Sequence, residues 1–253
     1  MLIGAGSRTA ATPGSNRAPG GVYCSPMRTP SSIVLTAVVS LAAIAAPLAA
    51  QVVDEGSFTI TIGGRTGGRE NFRITSVTRG TGSEYLAKAD AAFGDRKVSP
   101  ELRTDASGAA IDYVATRTGE GAEVWRGLIS RGRLSATITT ARGPSAREFV
   151  VPPGAVILDD DLFHQHYFVG RRTQNGRVPV IIPHRNELTM LTVTTVGPEP
   201  LQVGTKELPA THLRFVESSG DAREVWVDGQ GRVLKVEVPA RRLVAMRDDP
   251  PRN

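Results

Sequence analysis

From Gly56 onward, apolar and polar residues alternate with the period of two expected of a β-strand buried on one face. Phe58, Ile60 and Ile62 alternate with Ser57, Thr59 and Thr61. The Gly63–Gly68 stretch turns the chain, and Phe72 and Ile74 restart the alternation. Further strands are predicted near 83–92, 96–104, 110–118, 122–130, 132–140 and 145–150. Gly94-Asp95, Ser107-Gly108, Gly119-Glu120-Gly121, Gly132 and Gly143-Pro144 punctuate them. Enrichment in Thr, Val, Ile and Tyr favours strand over helix throughout.

The period changes after Pro152-Pro153-Gly154. Leu158, Leu162, Phe163 and Tyr167 fall at helical spacing, with Asp159-Asp160-Asp161 before them and Arg171-Arg172 after. Acidic residues at the start and basic ones at the end match a helix dipole. The pattern predicts one helix of about four turns over 158–172, with the aspartates as its N-terminal cap. A loop ending at Pro183 follows. Strands are expected again near 187–197, 200–207, 210–218, 222–229, 231–238 and 241–247. Asp228-Gly229-Gln230-Gly231 reads as the turn of a hairpin between Val225-Trp226-Val227 and Val233-Leu234-Lys235-Val236. Glu123-Val124-Trp125 before Gly132 echoes Glu224-Val225-Trp226 before Gly231, which reads either as a duplicated hairpin or as coincidence.

The fold class expected is mainly β: a large curled antiparallel sheet, an incomplete barrel, wrapped around one inserted helix. A sheet of roughly a dozen strands curls, and its concave face needs a filler. Three aromatic residues, Phe163, Tyr167 and Phe168, lie within one short stretch of the predicted helix. That helix either plugs the core or lies over a cavity that holds an apolar ligand.

The first fifty residues are of another kind. They carry Arg8, Arg17 and Arg28 and no acidic residue, so they supply most of the +5 formal charge; without them 27 basic face 25 acidic side chains. Met27-Arg28, the apolar run from Ile33 to Ala46 and the small-residue stretch to Ala50 form the n-region, h-region and cleavage site of a secretory signal peptide. An uncleaved N-terminal anchor is the alternative. Residues 1–26, rich in Gly, Ser, Arg and Pro, read as an upstream extension ahead of a true start at Met27, and 51–253 as a single β-rich domain. One cysteine, Cys24, excludes an internal disulfide and lies upstream of the apolar run. The expected location is a bacterial periplasm or the exterior.

Candidate chemistry is sparse. Residues 51–253 hold no G-x-S-x-G, S-x-x-K or H-E-x-x-H pattern. His164, His166, His184 and His212 read as surface or half-buried residues; Asp160 and His164, one helical turn apart, lack an evident third metal ligand. Asp159–Asp161 as an acid/base cluster is weaker than the cap. Acidic and basic residues interleave, as in Asp221-Ala222-Arg223-Glu224, which argues against a nucleic-acid face.

The opening Phe58-x-Ile60-x-Ile62 segment, the inserted helix and the closing Trp226-x-Asp228-Gly229-x-Gly231-Arg232-x-x-Lys235-x-x-x-Pro239 hairpin resemble the DUF3108-type secreted bacterial proteins, which are related to the lipoprotein-carrier half barrel. The resemblance in layout spans 51–247. It implies an envelope protein binding a lipid or other apolar molecule, and it carries over no catalytic residues. The leading expectation is therefore a non-enzymatic exported protein in which Phe163, Tyr167, Phe168 and Trp226 line or close an apolar cavity. No metal, cofactor, nucleic acid or stable membrane span is expected after signal-peptide removal. The alternative is an envelope interaction module with a solid core that recruits a protein partner at its sheet edges. A third class is an enzyme whose site is assembled from distant strands.

Overall fold

The computed structural model describes residues 50–79 and 82–252. Cys24, the 1–26 extension and all but the last residue of the 27–50 signal peptide lie outside them.

Eight strands follow one another as hairpins: β1 (Gln51–Ile62), β2 (Arg65–Arg79), β3 (Gly82–Phe93), β4 (Arg96–Asp105), β5 (Ala110–Thr118), β6 (Glu123–Ser130), β7 (Arg133–Thr140) and β8 (Gly143–Val150). After a two-residue strand, β9 (Val156–Ile157), come the helix α1 (His166–Arg172), β10 (Gly176–Ile182) and β11 (Glu187–Pro198). A small hairpin, β12 (Leu201–Val203) and β13 (Lys206–Leu208), precedes β14 (Thr211–Glu217), β15 (Ala222–Val227), β16 (Val233–Val238) and β17 (Leu243–Arg247).

All but β12 and β13 belong to one fifteen-stranded sheet, ordered from β8 back to β1, then β17, β16, β15, β14, β11, β10 and β9. β1 pairs with β17, Phe58 opposite Arg247 and Ile60 opposite Ala245, so the two ends of the meander meet in the middle of the sheet. Inward residues of strands far apart in this order, such as Phe58, Tyr113, Val193 and Val236, join α1 in one hydrophobic cluster. The sheet is an unclosed barrel around the helix α1. Alternation on each strand puts one set of side chains on this interior and the other outside.

Three expectations need correction. The helix covers only His166–Arg172, not 158–172. Leu158 ends an extended segment whose N–H donates to Ile181 O, and Asp159–Gln165 form successive turns. Asp159 Oδ1 accepts from the Asp160 N–H, a local bond that competes with helix. α1 has no acidic residue in its first turn and no side-chain cap, although Arg171 and Arg172 do end it. Second, β10 occupies what reads as loop. Its residues Val180, Ile181 and Ile182 are all buried, so alternation is lost. Pro179 fits because β9 reaches only Val180 and Ile181. Third, the strand expected near 200–207 is the β12–β13 hairpin, which folds over the outer face.

Candidate functional site

The four residues expected at a ligand cavity separate into two places. Phe163 and Phe168 are 0% exposed and Tyr167 is buried beside them. Phe163 meets Phe58 edge-on at 6.4 Å, and Tyr85 meets both Tyr167 and Phe168 at 6.3 Å. These are core contacts within the barrel. Trp226 lies on the other side of the sheet. Its neighbours Val225 and Val227 take the inward positions, so Trp226 points out and packs with Val203, Ala210 and Leu234 beneath the β12–β13 hairpin. There it stacks on His212 at 4.3 Å under the Lys235 ammonium at 4.2 Å. Trp125, its partner in the sequence echo, faces the interior, so the echo is not a structural repeat.

The aspartate run is a set of anchors rather than a cap. Asp159 is fully buried and accepts from Arg117 Nη2 at 2.5 Å and Tyr113 Oη at 3.1 Å. Burial raises its carboxyl above the ordinary value despite the opposing Arg117 charge. Asp160 takes Arg185 through two nitrogens at 2.6 and 2.7 Å and Arg223 at 2.9 Å. Burial works to raise this carboxyl too, but the two guanidinium groups outweigh it and hold it below the usual range. Asp161 pairs with Arg241 at 2.8 Å and Arg96 at 3.0 Å. Glu217 bridges Arg185 and Arg223, both at 2.8 Å. Around Asp160 and Asp161 the barrel end opens a charged cleft of about 310 Å³, with His184 and Arg241 at its rim.

Deeper in, the buried Glu70 of β2 bonds His164 Nδ1 through one oxygen and accepts the Phe163 N–H at 2.7 Å through the other. A carboxylate orienting an imidazole is the geometry of a general base, but this dyad is wholly covered and stacked on Phe72, and its contacts tie the turn to the wall. His166 lies between Phe163 and Phe215 and bonds the Phe163 carbonyl through Nδ1. Burial, with Arg223 nearby, lowers its pKa to about 3, so it is neutral at physiological pH. Both histidines are thus fully buried, not surface or half-buried as expected. Asp160 and His164, weighed as metal ligands, have separate partners, and among the described residues no group of three or more His, Cys, Asp or Glu is placed to hold a metal.

Sequence reasoning missed Glu70, Arg117, Glu217, Arg223 and Arg247, all buried charges. Each continues the inward parity of its strand: Glu70 with Phe72 and Ile74, Arg117 with Tyr113 and Ala115, Glu217 with Leu213 and Phe215, Arg223 with Val225, Arg247 with Ala245. A charge on the apolar side of an alternating strand was the signal available.

The sheet's two edges differ sharply. β9 is two buried residues, and Ala155 O beside it accepts from Ala110 N at the start of β5. β8 is eight residues long and, among the described residues, pairs only with β7. The β7–β8 hairpin extends past the point where β5 meets β9; five of its twenty residues from Arg131 to Val150 are charged, and Val150 is 72% exposed.

No family model matches the chain, and no curated protein matches it. Among solved structures it is similar to a β-barrel-like protein of domain of unknown function DUF1849 from Brucella abortus, with a TM-score of 0.50 and 9% identity over 80% of this chain and 97% of that one. At that identity the likeness is one of fold: a β-barrel-like architecture, and with a DUF1849 protein rather than a DUF3108 one.

Proposed function

We propose that this chain is an exported, non-enzymatic cell-envelope interaction module that binds a protein partner on its outside, and not a lipid carrier. The observation that carries the reading is the state of Phe163 and Phe168. Both are fully buried against Phe58 and Tyr85, so the helix completes the core that a carrier would leave open to an acyl chain. The neighbouring carboxylates are occupied by arginines, which suits anchoring better than proton transfer. The signal-peptide pattern of 27–50 supports export, and among the described residues no helix is long and apolar enough to cross a membrane.

The test is to express the full chain in bacteria, fractionate the cells, and record native mass spectra of the exported form with organic extraction. The expected result is a periplasmic or secreted protein at its bare polypeptide mass, with no thermal shift on adding phospholipid. A lipid that co-purifies in stoichiometric amount would overturn the module reading in favour of the carrier.

A further inference from the structure

The module reading leaves open where a partner docks and what it looks like, and the sheet edge at β8 answers both. We infer that β8 receives an extended, acidic segment of a partner protein as an added strand. This rests on the module reading and deepens it.

The backbone sets which groups are available. Thr140 opposes Gly143 across a two-residue turn, and the ladder continues to Val151 N–H donating to Gly132 O at 2.8 Å. In an antiparallel pair the hydrogen-bonded positions alternate, so Ser145, Arg147 and Phe149 bond β7. Ala146, Glu148 and Val150 therefore turn their N–H and C=O groups to the open side, where the Ala146 carbonyl already accepts from the exposed Arg147 Nη1 at 2.9 Å. Pro144, with no N–H, blunts only the first position. The other end of the sheet offers nothing comparable, because β9 is short, buried and covered by β5.

Side chains around this edge set the chemistry. From Val124 to Val150 there are five arginines (126, 131, 133, 142 and 147) and one glutamate, Glu148. All five arginines are exposed. Glu148 is itself paired to Arg133 at 2.9 Å. On the outer face Val150 is 72% exposed, apolar surface within reach of alternate side chains of an added strand. Main-chain bonds would give affinity, and the arginines would select acidic residues. A second copy of this chain is the poorer occupant, since it would bring the same arginine-rich hairpin against itself.

The probe is a labelled octapeptide of alternating Glu and Val, followed by fluorescence anisotropy with the exported protein at low salt. Its controls are the Lys-Val counterpart and the Glu-Val peptide N-methylated at every residue. The expected result is binding of the Glu-Val peptide alone, weakened at least tenfold by Ala146→Pro and at least tenfold by Arg133→Glu with Arg147→Glu. Ala146→Pro removes an outward donor without touching the β7 ladder; should it fail to fold, the N-methylated peptide tests the edge on the unaltered protein. Equal binding of acidic and basic peptides, or of the N-methylated one, overturns the inference. So does a dimer in sedimentation velocity that Ala146→Pro dissociates, which would assign the edge to a second copy. A lipid-free protein that ignores the Glu-Val peptide sinks the edge assignment and leaves the module reading standing, whereas an extracted lipid sinks the module reading itself.

Discussion

Arg247 shows how single charged residues hold this barrel together. Its guanidinium grips Asp54 at 2.7 and 3.0 Å and reaches the carbonyls of Glu55, Val233 and Asp249, stitching β17 to β1 and to β16. It sits over Phe72 at 5.3 Å, and a Cβ at Gly56 would come within 2.9 Å of Nη2, so a side chain there would displace the clamp. Losing one partner strands the other charge in the core. Asp54→Ala is expected to cost about 3–5 kcal/mol in urea unfolding, whereas Asp54→Leu with Arg247→Met should recover most of that loss. His166 makes a second residue-scale prediction. Its folded pKa of about 3 lies below the ordinary 6.5, so the unfolded chain binds the extra proton first. Its contribution is fully present above 6.5 and is lost as pH falls from 6.5 toward 3, at up to about 1.4 kcal/mol per pH unit. Arg223, His164 and Asp160 act on the same ring. His166→Phe should keep the stack with Phe163 and Phe215 and flatten stability against pH across that window.

At the scale of elements, the segment from Asp159 to Arg172 behaves as a plug, apolar on α1 and ionic in the turns before it. Phe168→Ala should cost about 3–5 kcal/mol in chemical denaturation, as for any large core aromatic. Gly108 fixes the approach of this plug to the β4–β5 turn: it has φ +89°, and a Cβ there would stand 3.2 Å from the Phe168 carbonyl oxygen. The ionic half responds to acid. The Asp160 carboxyl is held below its ordinary 3.8, so it contributes stability that is present above 3.8 and lost as pH falls through the depressed value. Arg185→Gln removes a main cause of that depression. The acid-unfolding midpoint, followed by far-UV circular dichroism, is expected to move to higher pH in this variant.

The whole molecule is held unevenly. The β1–β2 and β1–β17 pairings lie in the centre of the sheet with the core on one side, while the outermost strand β8 is largely exposed on both faces. Local opening follows such differences in burial. Amide hydrogen exchange should therefore be fastest in β8 and slowest in β1, β2 and β17; equal protection across the sheet would count against β8 as an accessible edge. Once a strand is added at that edge, β8 amides at Ala146, Glu148 and Val150 should become the most strongly protected by binding.

The run of hairpins from β1 to β8 and from β14 to β17 was legible because alternation and glycine turns are local, and a period of two commits a strand to two distinct faces. The Asp228–Gly231 turn was legible for the same reason. Only tertiary structure decided the rest. Leu158–Gln165 has helical spacing, yet arginines from β4, β5, β15 and the segments after β10 and β16 draw its aspartates into ion pairs, and pairing with partners up to 80 residues away outweighs a local dipole. Trp226 is as aromatic as Phe163, but strand parity put it on the opposite face, beneath a hairpin that the sequence shows as one strand. Sequence alone determined that this chain builds one large two-faced sheet. Which charges lie inside it, what fills it and which edge stays open depend on contacts between residues distant in the chain, where local pattern carries no energy.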